Sequence, residues 1–210
     1  MTLPFTKMHG AGNDFVVLDR RDGLPLPDRE MLIRIADRHF GIGCDQIMVL
    51  ETPQNGTALA SYRIFNSDGS SAQQCGNGVR CLAAWLHRTG ELALEAVLDS
   101  PSGPVPVRVL DTGDIEATLS IPNFTPAAVP MRDIDGDDDG YRLNLDGMHV
   151  GFGAVSMGNP HIVIDVDDVV AAPVELALML QNHPAFPDGC NVGFAQIVAR
   201  DRIRLRVIER

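Results

Sequence analysis

The chain has 210 residues, 45% of them hydrophobic, and a formal net charge of −11 at pH 7. This charge argues against nucleic acids and anionic membranes as partners, because both repel an acidic surface. No apolar stretch reaches the length of a membrane-spanning helix, and the N-terminus lacks a basic segment followed by an apolar one, so we predict a cytoplasmic protein. The four cysteines are too few and too scattered for a disulfide framework or a Cys-x-x-Cys zinc site, so we predict reduced thiols and no metal.

The first part of the chain alternates predicted strands with two helices. Residues 9–14 form a predicted glycine turn that presents Asn13, because a phosphate-binding loop would need a third glycine opening a helix and a strand follows instead. The connections after residue 95 are too short for helical crossovers, so we expect antiparallel pairing there. In chain order, strands are predicted over 5–8, 15–19, 47–50, 60–65, 96–99, 105–110 and 115–121, and helices over 28–39 and 79–88.

A proline-rich and then acidic segment separates this part from a second one. We therefore predict two domains, 1–122 and 141–210, joined by a linker and acidic loop over 123–140. In the second domain, strands are predicted over 141–145, 148–152, 161–165, 192–198 and 202–209, and a helix over 174–180.

Aspartates in the acidic loop have the spacing of the first half of a calcium-binding loop. The residues that fit this spacing are Asp135, Asp137, Asp139, Gly140 and Asp146. No predicted helices flank them, and they belong to a proline-bounded linker. We therefore interpret them as a solvated acidic loop rather than a metal site.

Cys75 lies between two glutamines and a Gly-x-Gly step, directly before a helical pattern. A helix N-terminus offers unpaired amide groups and the positive end of the helix dipole, so a thiolate is stabilised there and the thiol pKa should fall. Gly76 and Gly78 leave the backbone amides open to a carboxylate. Cys75 is therefore a candidate nucleophile or base, and a partly buried core cysteine is the alternative. Cys81, six residues on, lies on a different face of the helix and is predicted to be core.

The two halves of the chain repeat each other. Gly12-Asn13 and the apolar strand after it match Gly158-Asn159 and its strand, 146 positions later. Cys44-Asp45 matches Cys190-Asn191 at the same offset, and the segment 63–66 resembles 206–209 at an offset of 143. Three matches in the same order predict two structurally similar domains. The same repeat places an equivalent of Cys75 near position 218, whereas the chain has 210 residues, so we expect it to lack that second cysteine.

Asparagines recur at the ends of the repeated strands. Their amides can bind the carboxylate and the ammonium of a zwitterion without adding charge beside a thiol, although turn formation is the ordinary role of asparagine. Glu209 and Arg210 offer a charged complement, as an ammonium acceptor and a carboxylate fork. His161 alternates with an apolar strand, where a structural role and an acid or base role both fit.

Six segments resemble the diaminopimelate epimerase family. In family order they are KMHGAGNDF (7–15), GIGCDQ (41–46), RIFNSDG (63–69), QCGNGVRC (74–81), SMGNPH (156–161) and RVIER (206–210). The resemblance implies a cofactor-independent enzyme that interconverts LL- and meso-diaminopimelate. It also implies an α+β fold of two pseudo-symmetric domains, each a mainly antiparallel sheet or barrel around a central helix, with the second domain incomplete in this chain.

The resemblance further implies roles for single residues. Cys75 is one of two cysteines that exchange proton-acceptor and proton-donor roles, and the partner cysteine follows Glu-Arg in the family. The implied substrate-binding residues are Asn13, Gln46, Asn66, Gly76, Asn77, Asn159, Asn191, Glu209 and Arg210, and the implied modulators of thiol pKa are His161 and Glu209. The expected partners are a small zwitterionic amino acid and a second copy of the chain, with no cofactor.

Other functions remain open at this point. One is a racemase or epimerase of proline, hydroxyproline or histidine, and another is a non-catalytic amino-acid-binding protein. A thiol hydrolase is disfavoured because no histidine accompanies Cys75 locally. Without the second cysteine we expect the 210 residues alone to be inactive.

Overall fold

The computed structural model describes residues 3–53, 56–137, 140–145 and 147–209. These residues form two compact units, unit 1 up to Ser120 and unit 2 from Ile121. The predicted domain bounds, including the linker over 123–140, remain predictions. Among the described residues, no helix has the length and apolar character needed to cross a membrane.

Unit 1 is an eight-stranded mixed sheet with two helices. Its strands run in the order β1-β2-β3-β4-β6-β7-β8, with β5 paired to β4. Neighbouring strands are antiparallel except β2 with β3 and β4 with β6, which are parallel. The elements are β1 (Thr6–Gly10), β2 (Asn13–Asp19), α1 (Arg29–Ala36), β3 (Gln46–Glu51), β4 (Ala60–Asn66), β5 (Ser71–Ala72), α2 (Gly76–Arg88), β6 (Glu95–Ser100), β7 (Gly103–Val109) and β8 (Ile115–Ala117).

Helix α1 is shorter than the predicted 28–39. Asp28 caps its start by accepting a hydrogen bond from Met31 N at 2.8 Å. At the other end, the Asp37 carboxylate accepts from His39 N at 2.7 Å and from Phe40 N at 2.9 Å. These bonds form a turn that competes with another helical turn, so the helix ends at Ala36.

The sheet of unit 1 packs a helix on each face. Alternate residues such as Phe15, Val17 and Met48 pack against α2, and the intervening Val16 and Leu18 pack against α1. Since side chains alternate across a strand, the near-continuous apolar runs of β2 and β3 are those of strands buried on both faces. Helix α2 is thereby the central helix of the unit.

Unit 2 is a six-stranded sheet in the order β14-β13-β12-β11-β10-β9. Its strands are antiparallel except β12 with β13, and a short 3-10 helix (Pro126–Ala128) precedes them. Its elements are β9 (Asp135–Asp137), β10 (Gly140–Leu145), β11 (Met148–Ser156), β12 (Pro160–Asp165), α3 (Val174–Gln181), β13 (Asn191–Ala199) and β14 (Arg202–Ile208). The predicted α+β class with mainly antiparallel sheets is confirmed.

Part of the predicted acidic loop is a strand. Residues 135–137 form β9, in which Gly136 pairs with Tyr141 of β10. A Cβ at position 136 would lie 2.6 Å from Tyr141 Cδ1, so the glycine leaves room for the aromatic ring. Aromatic packing over a cross-strand glycine stabilises a strand that has weak intrinsic propensity.

The predicted internal repeat corresponds to a shared strand frame. In unit 1, β1 and β2 form a hairpin, α1 leads to the parallel strand β3, and β4 returns antiparallel. In unit 2, β11, β12, α3, β13 and β14 follow the same sequence of pairings. The core of unit 2 lies between this frame and α3, with Ile162, Phe194 and Leu180 fully buried.

Candidate active site

Cys75 is the N-cap residue of α2, as the sequence predicts. Its backbone is extended, with φ −148° and ψ 101°, and its sulfur accepts a hydrogen bond from Gly78 N at 3.3 Å. No acidic residue lies in the first turn of α2. A donated N–H and the helix dipole both favour a negative charge on the sulfur, so the position stabilises a thiolate.

Cys75 is half-buried, and the other three cysteines are buried. Cys44, Cys81 and Cys190 expose 2%, 4% and 0% of their surface. Burial raises the pKa of the Cys44 thiol, and burial followed by the nearby Cys75 raises that of Cys81. The Cys44 and Cys81 thiols therefore remain protonated, and all three buried cysteines pack in the cores of their units.

Gly78 allows α2 to approach the sheet. A Cβ there would lie 2.8 Å from Met48 Sδ and 3.3 Å from Phe15 Cε1. At Gly76, a Cβ would lie 3.4 Å from Leu119 Cδ1, an ordinary contact. The close approach at Gly78 places the first turn of α2 directly beside the starts of β2 and β3.

The predicted amides of unit 1 form two hydrogen-bonded pairs. Asn77 Nδ2 donates to Asn13 Oδ1 at 2.7 Å, which joins the β1–β2 turn to the first turn of α2. Gln46 Nε2 donates to Asn66 Oδ1 at 2.9 Å, and these two residues are also paired across β3 and β4. The structure thus brings Asn13, at the start of β2, together with Asn77 of α2, and it brings Gln46 and Asn66 together at the ends of β3 and β4.

An ion cluster beside these amides was missed at the sequence level. Asp14 Oδ1 accepts from Asp45 N at 2.9 Å and Asp45 Oδ2 accepts from Asp14 N at 3.0 Å, so the starts of β2 and β3 are bound reciprocally. Arg38 bridges both carboxylates, at 2.8 Å and 2.7 Å, and Lys7 binds Asp14 at 2.8 Å. The Arg38 guanidinium, and then Lys7, hold the pKa of Asp14 well below its usual range. The signal in the sequence is an aspartate at the start of each of two adjacent strands.

The predicted residues of unit 2 form a second polar group. His161 Nε2 lies 3.0 Å from Asn159 Oδ1 and 3.3 Å from Asn191 Nδ2. The ring can donate to Asn159 or accept from Asn191 according to its tautomer. Burial lowers the pKa of His161, and the negative charge of Glu209 acts in the opposite direction. The proposed Arg210 lies outside the described residues.

The described residues contain no group of three or more His, Cys, Asp or Glu side chains arranged to hold a metal ion. Asp137 forms an ion pair with Arg142 at 3.0 Å. Asp138, Asp139 and Asp146 lie outside the described residues, so the calcium-loop alternative is untested there.

Solved structures with little sequence identity share the fold. A probable proline racemase from Agrobacterium radiobacter with bound carbonate matches with a TM-score of 0.68 at 16% identity, over 98% of this chain and 70% of that one. A hydroxyproline epimerase from Agrobacterium vitis with bound trans-4-hydroxy-L-proline matches with a TM-score of 0.69 at 15% identity, over 97% and 69%.

The sequence comparisons are closer. A family model for diaminopimelate epimerase matches residues 5–121. The diaminopimelate epimerase of Xanthomonas campestris pv. campestris is 53% identical over 210 residues, covering 99% of this chain and 74% of the relative. That of Xylella fastidiosa is 51% identical with the same coverage. This chain therefore belongs to the diaminopimelate epimerase family of isomerases.

Proposed function

We propose that this protein interconverts LL-2,6-diaminopimelate and meso-diaminopimelate without a cofactor, with Cys75 as one of two acid/base thiols. The observation that carries the proposal is the position of Cys75 Sγ at the start of α2, within hydrogen-bond distance of Gly78 N. Membership of the family identifies diaminopimelate as the proposed substrate, and the start of α2 favours a thiolate that can act as a base.

Inversion requires removal of a proton from one face of the α-carbon and delivery of another to the opposite face. In one direction, the Cys75 thiolate takes the α-proton and becomes a thiol, while the partner thiol gives up its proton and becomes a thiolate. In the other direction the roles are exchanged, so the number of protons on the two sulfurs is conserved. Each step leaves the enzyme ready for a substrate of the opposite handedness.

The first turn of α2 can stabilise the charge that develops during proton removal. Electron density from the broken C–H bond moves onto the α-carboxylate, and backbone amides of Gly76 and Asn77 are suited to bind it. The absence of an acidic side chain in this turn is consistent with an anionic ligand. In this proposal Gly76 and Asn77 contact the reacting end of the substrate.

The remaining predicted residues would recognise the zwitterionic substrate. Amides hold carboxylate and ammonium groups without adding a charge that would perturb the thiols. The residues proposed for this role are Asn13, Gln46, Asn66, Asn159 and Asn191, with Glu209 and Arg210 as the charged pair and His161 and Glu209 as modulators of the thiols.

Among the described residues, no second thiol lies in a setting equivalent to that of Cys75. Cys44, Cys81 and Cys190 are buried in the cores of their units. We therefore propose that a polypeptide of residues 1–210 alone does not invert diaminopimelate. The measurement is conversion of LL- to meso-diaminopimelate by that polypeptide, and turnover comparable to that of the Xanthomonas campestris relative would contradict it.

A chimera tests the role of Cys75 directly. Residues 1–210 replace the matching segment of the Xanthomonas campestris relative, which supplies the rest of its own length. We expect the chimera to convert LL- to meso-diaminopimelate and to incorporate solvent deuterium at the α-carbon. Cys75→Ser should abolish both, and Cys81→Ser is the matched control that should retain them. Conversion by the Cys75→Ser chimera would refute the proposal, and deuterium exchange separates an epimerase from a binding protein.

Wider aspects of the function also remain proposals. The family name favours a place in lysine and peptidoglycan biosynthesis, and the composition favours the cytoplasm. A homodimer stays a prediction, which light scattering of the purified chain can check.

A further inference from the structure

A chain of hydrogen bonds runs from the first turn of α2 to the start of β3. Arg80 Nη2 donates to Asn77 Oδ1, and Asn77 Nδ2 donates to Asn13 Oδ1 at 2.7 Å. Asn13 Nδ2 in turn faces Asp45 Oδ2 at 3.5 Å. Two neutral amides are therefore enclosed between a cation and an anion.

Arg80 and Asp45, at the two ends of this series of hydrogen bonds, set its direction. An amide can present either its oxygen or its NH₂ group, so two amides alone could be oriented either way. A guanidinium only donates, which requires Asn77 to present its oxygen to Arg80 and its NH₂ to Asn13. A carboxylate only accepts, which requires Asn13 to present its NH₂ to Asp45. Both ends impose the same orientation.

Asp45 is itself held in place. Its Oδ2 accepts from Asp14 N at 3.0 Å, and its Oδ1 accepts from Arg38 Nη2 at 2.7 Å. Rotation of the carboxylate would break charge-assisted bonds, which are among the stronger hydrogen bonds in proteins. The acceptor that faces Asn13 is therefore a fixed part of the β2–β3 frame.

We infer that Arg80 and Asp45 are positioning residues that fix the Asn13 amide with a hydrogen-bond donor turned towards the substrate carboxylate. Among the described contacts, one N–H of Asn13 faces Asp45, and the second is left to donate. With the direction reversed, Asn13 would present its oxygen and repel a carboxylate. The substrate part of this inference rests on the proposed binding role of Asn13.

The orientation can be measured on the 210-residue chain without substrate. Asp45→Asn replaces the obligatory acceptor with a group that can donate or accept, so the Asn13 side-chain amide should shift or split in a ¹H–¹⁵N spectrum. Asp14→Asn is the matched control, because it removes the same charge from the same Arg38 cluster, while the described hydrogen bonds of the Asp14 carboxylate go to Lys7, Arg38 and Asp45 N and not to the Asn13 amide. Arg80→Gln should disturb the same amide, and Arg80→Lys, which keeps a donor-only end, should restore the wild-type signal.

Carboxylate recognition is measured by two alkylating agents of similar size. Iodoacetate carries a carboxylate and iodoacetamide does not, so the ratio of their rates at Cys75 separates anion binding from thiol reactivity. We expect Asp45→Asn to lower this ratio about tenfold, the effect of losing one hydrogen bond to a charged group. Asp14→Asn should not lower it.

The outcomes distinguish this inference from the proposed function. An Asp45→Asn chain with a wild-type amide spectrum and a wild-type rate ratio would overturn the inference. If Asp45→Asn prevents folding, the same two measurements are made on Arg80→Gln. A wild-type amide spectrum and a wild-type rate ratio in that variant would likewise overturn the inference. An inactive wild-type chimera together with the expected amide shifts would contradict the proposed function and leave the positioning roles of Arg80 and Asp45 supported.

Discussion

Unit 1 and unit 2 share a strand frame but cover one of its faces differently. In unit 1 this face packs against α2, and Tyr62 on it is 2% exposed. The position equivalent to Tyr62 at the repeat offset of 143 is Leu205, which is 54% exposed. Leu205 pairs with Ala195, and Ile197 and Ile203 on the same face are also exposed. The same backbone frame therefore supports a closed core in one unit and an apolar surface in the other.

The cysteines show the same contrast in chemical terms. Cys44 and Cys190 occupy equivalent positions in the repeat, two residues before the first residue of β3 and directly before β13, and both are buried. Cys75 precedes a helix and is half-buried. The position before a strand places a thiol in the core, whereas the position before a helix gives it amide donors and access. The difference teaches that a thiol at this helix start has an amide donor and solvent access, whereas the thiols of the repeated strand frame are buried.

The largest expected effect concerns these thiols. Under native conditions at neutral pH, iodoacetamide should modify Cys75 roughly 10³ times faster than Cys190, because a buried thiol reacts only when the structure opens. Peptide mass spectrometry of quenched samples measures both rates. Cys75→Ser should remove the fast reaction. Equal rates at Cys75 and Cys190 would show that the two positions do not differ in thiol reactivity.

The next effect concerns the two faces. Leu82→Ala in α2 should lower the free energy of unfolding by about 2–5 kcal/mol, because Leu82 is fully buried and its loss leaves a cavity. Leu205→Ala should cost less than about 1 kcal/mol, since an exposed side chain has little contact to lose. Urea denaturation measures the free energy of unfolding of both variants, and the substitution is Leu→Ala in each of them. A large cost at Leu205 would show that the face of unit 2 is covered in solution.

The ion cluster of unit 1 should be sensitive to acid. The pKa of Asp14 is held low in the folded state, chiefly by Arg38, so its stabilisation is present above its unfolded pKa and is lost as pH falls through the folded pKa. At pH 7, Asp14→Asn should cost about 1–2 kcal/mol, allowing for partial solvent screening. Below about pH 4 the stability curves of the variant and the wild type should converge. A constant difference down to pH 2 would contradict this assignment.

The smallest effect concerns unit 2, in a different pH range. Burial lowers the folded pKa of His161, so the neutral ring contributes stability above its unfolded pKa that is lost as pH falls through the folded value. Below about pH 6.5, the protection factors for hydrogen exchange in β12 and β13, which correct for the intrinsic exchange rate at each pH, should fall by an amount corresponding to less than about 1 kcal/mol after screening. His161→Gln should flatten this pH dependence of local stability. The range to measure is pH 7.5 to 5.5, about one unit on either side of the ordinary pKa of histidine. An unchanged slope would assign the pH dependence to other groups.

Much of the frame was predictable from local pattern. The alternation of apolar residues located most strands, and the repeat at 146 positions predicted two structurally similar domains. Parallel pairing of β4 with β6 was not predicted, because alternation reports which face is buried but not which strand lies alongside. The strand β9 was also missed, since its acidic composition predicts a loop and only the contact of Gly136 with Tyr141 explains it.

The sequence predicted which residues belong to the candidate site better than it predicted the hydrogen bonds that join them. Cys75 at a helix start and the asparagines at strand ends follow from residue type and position. The reciprocal bonds of Asp14 and Asp45 were missed because they join residues 31 positions apart, and sequence spacing does not report side-chain geometry across a sheet. Arg80 was missed for the opposite reason, since a single arginine on a helix surface is ordinarily solvated.

The contact between Gly78 and Met48 has a consequence for how the sequence can change over generations. A β-carbon at position 78 would overlap the end of the buried Met48 side chain, so the two positions are coupled. A side chain at 78 would require the end of Met48 to shift, or a smaller residue at 48. The two sites should therefore drift together.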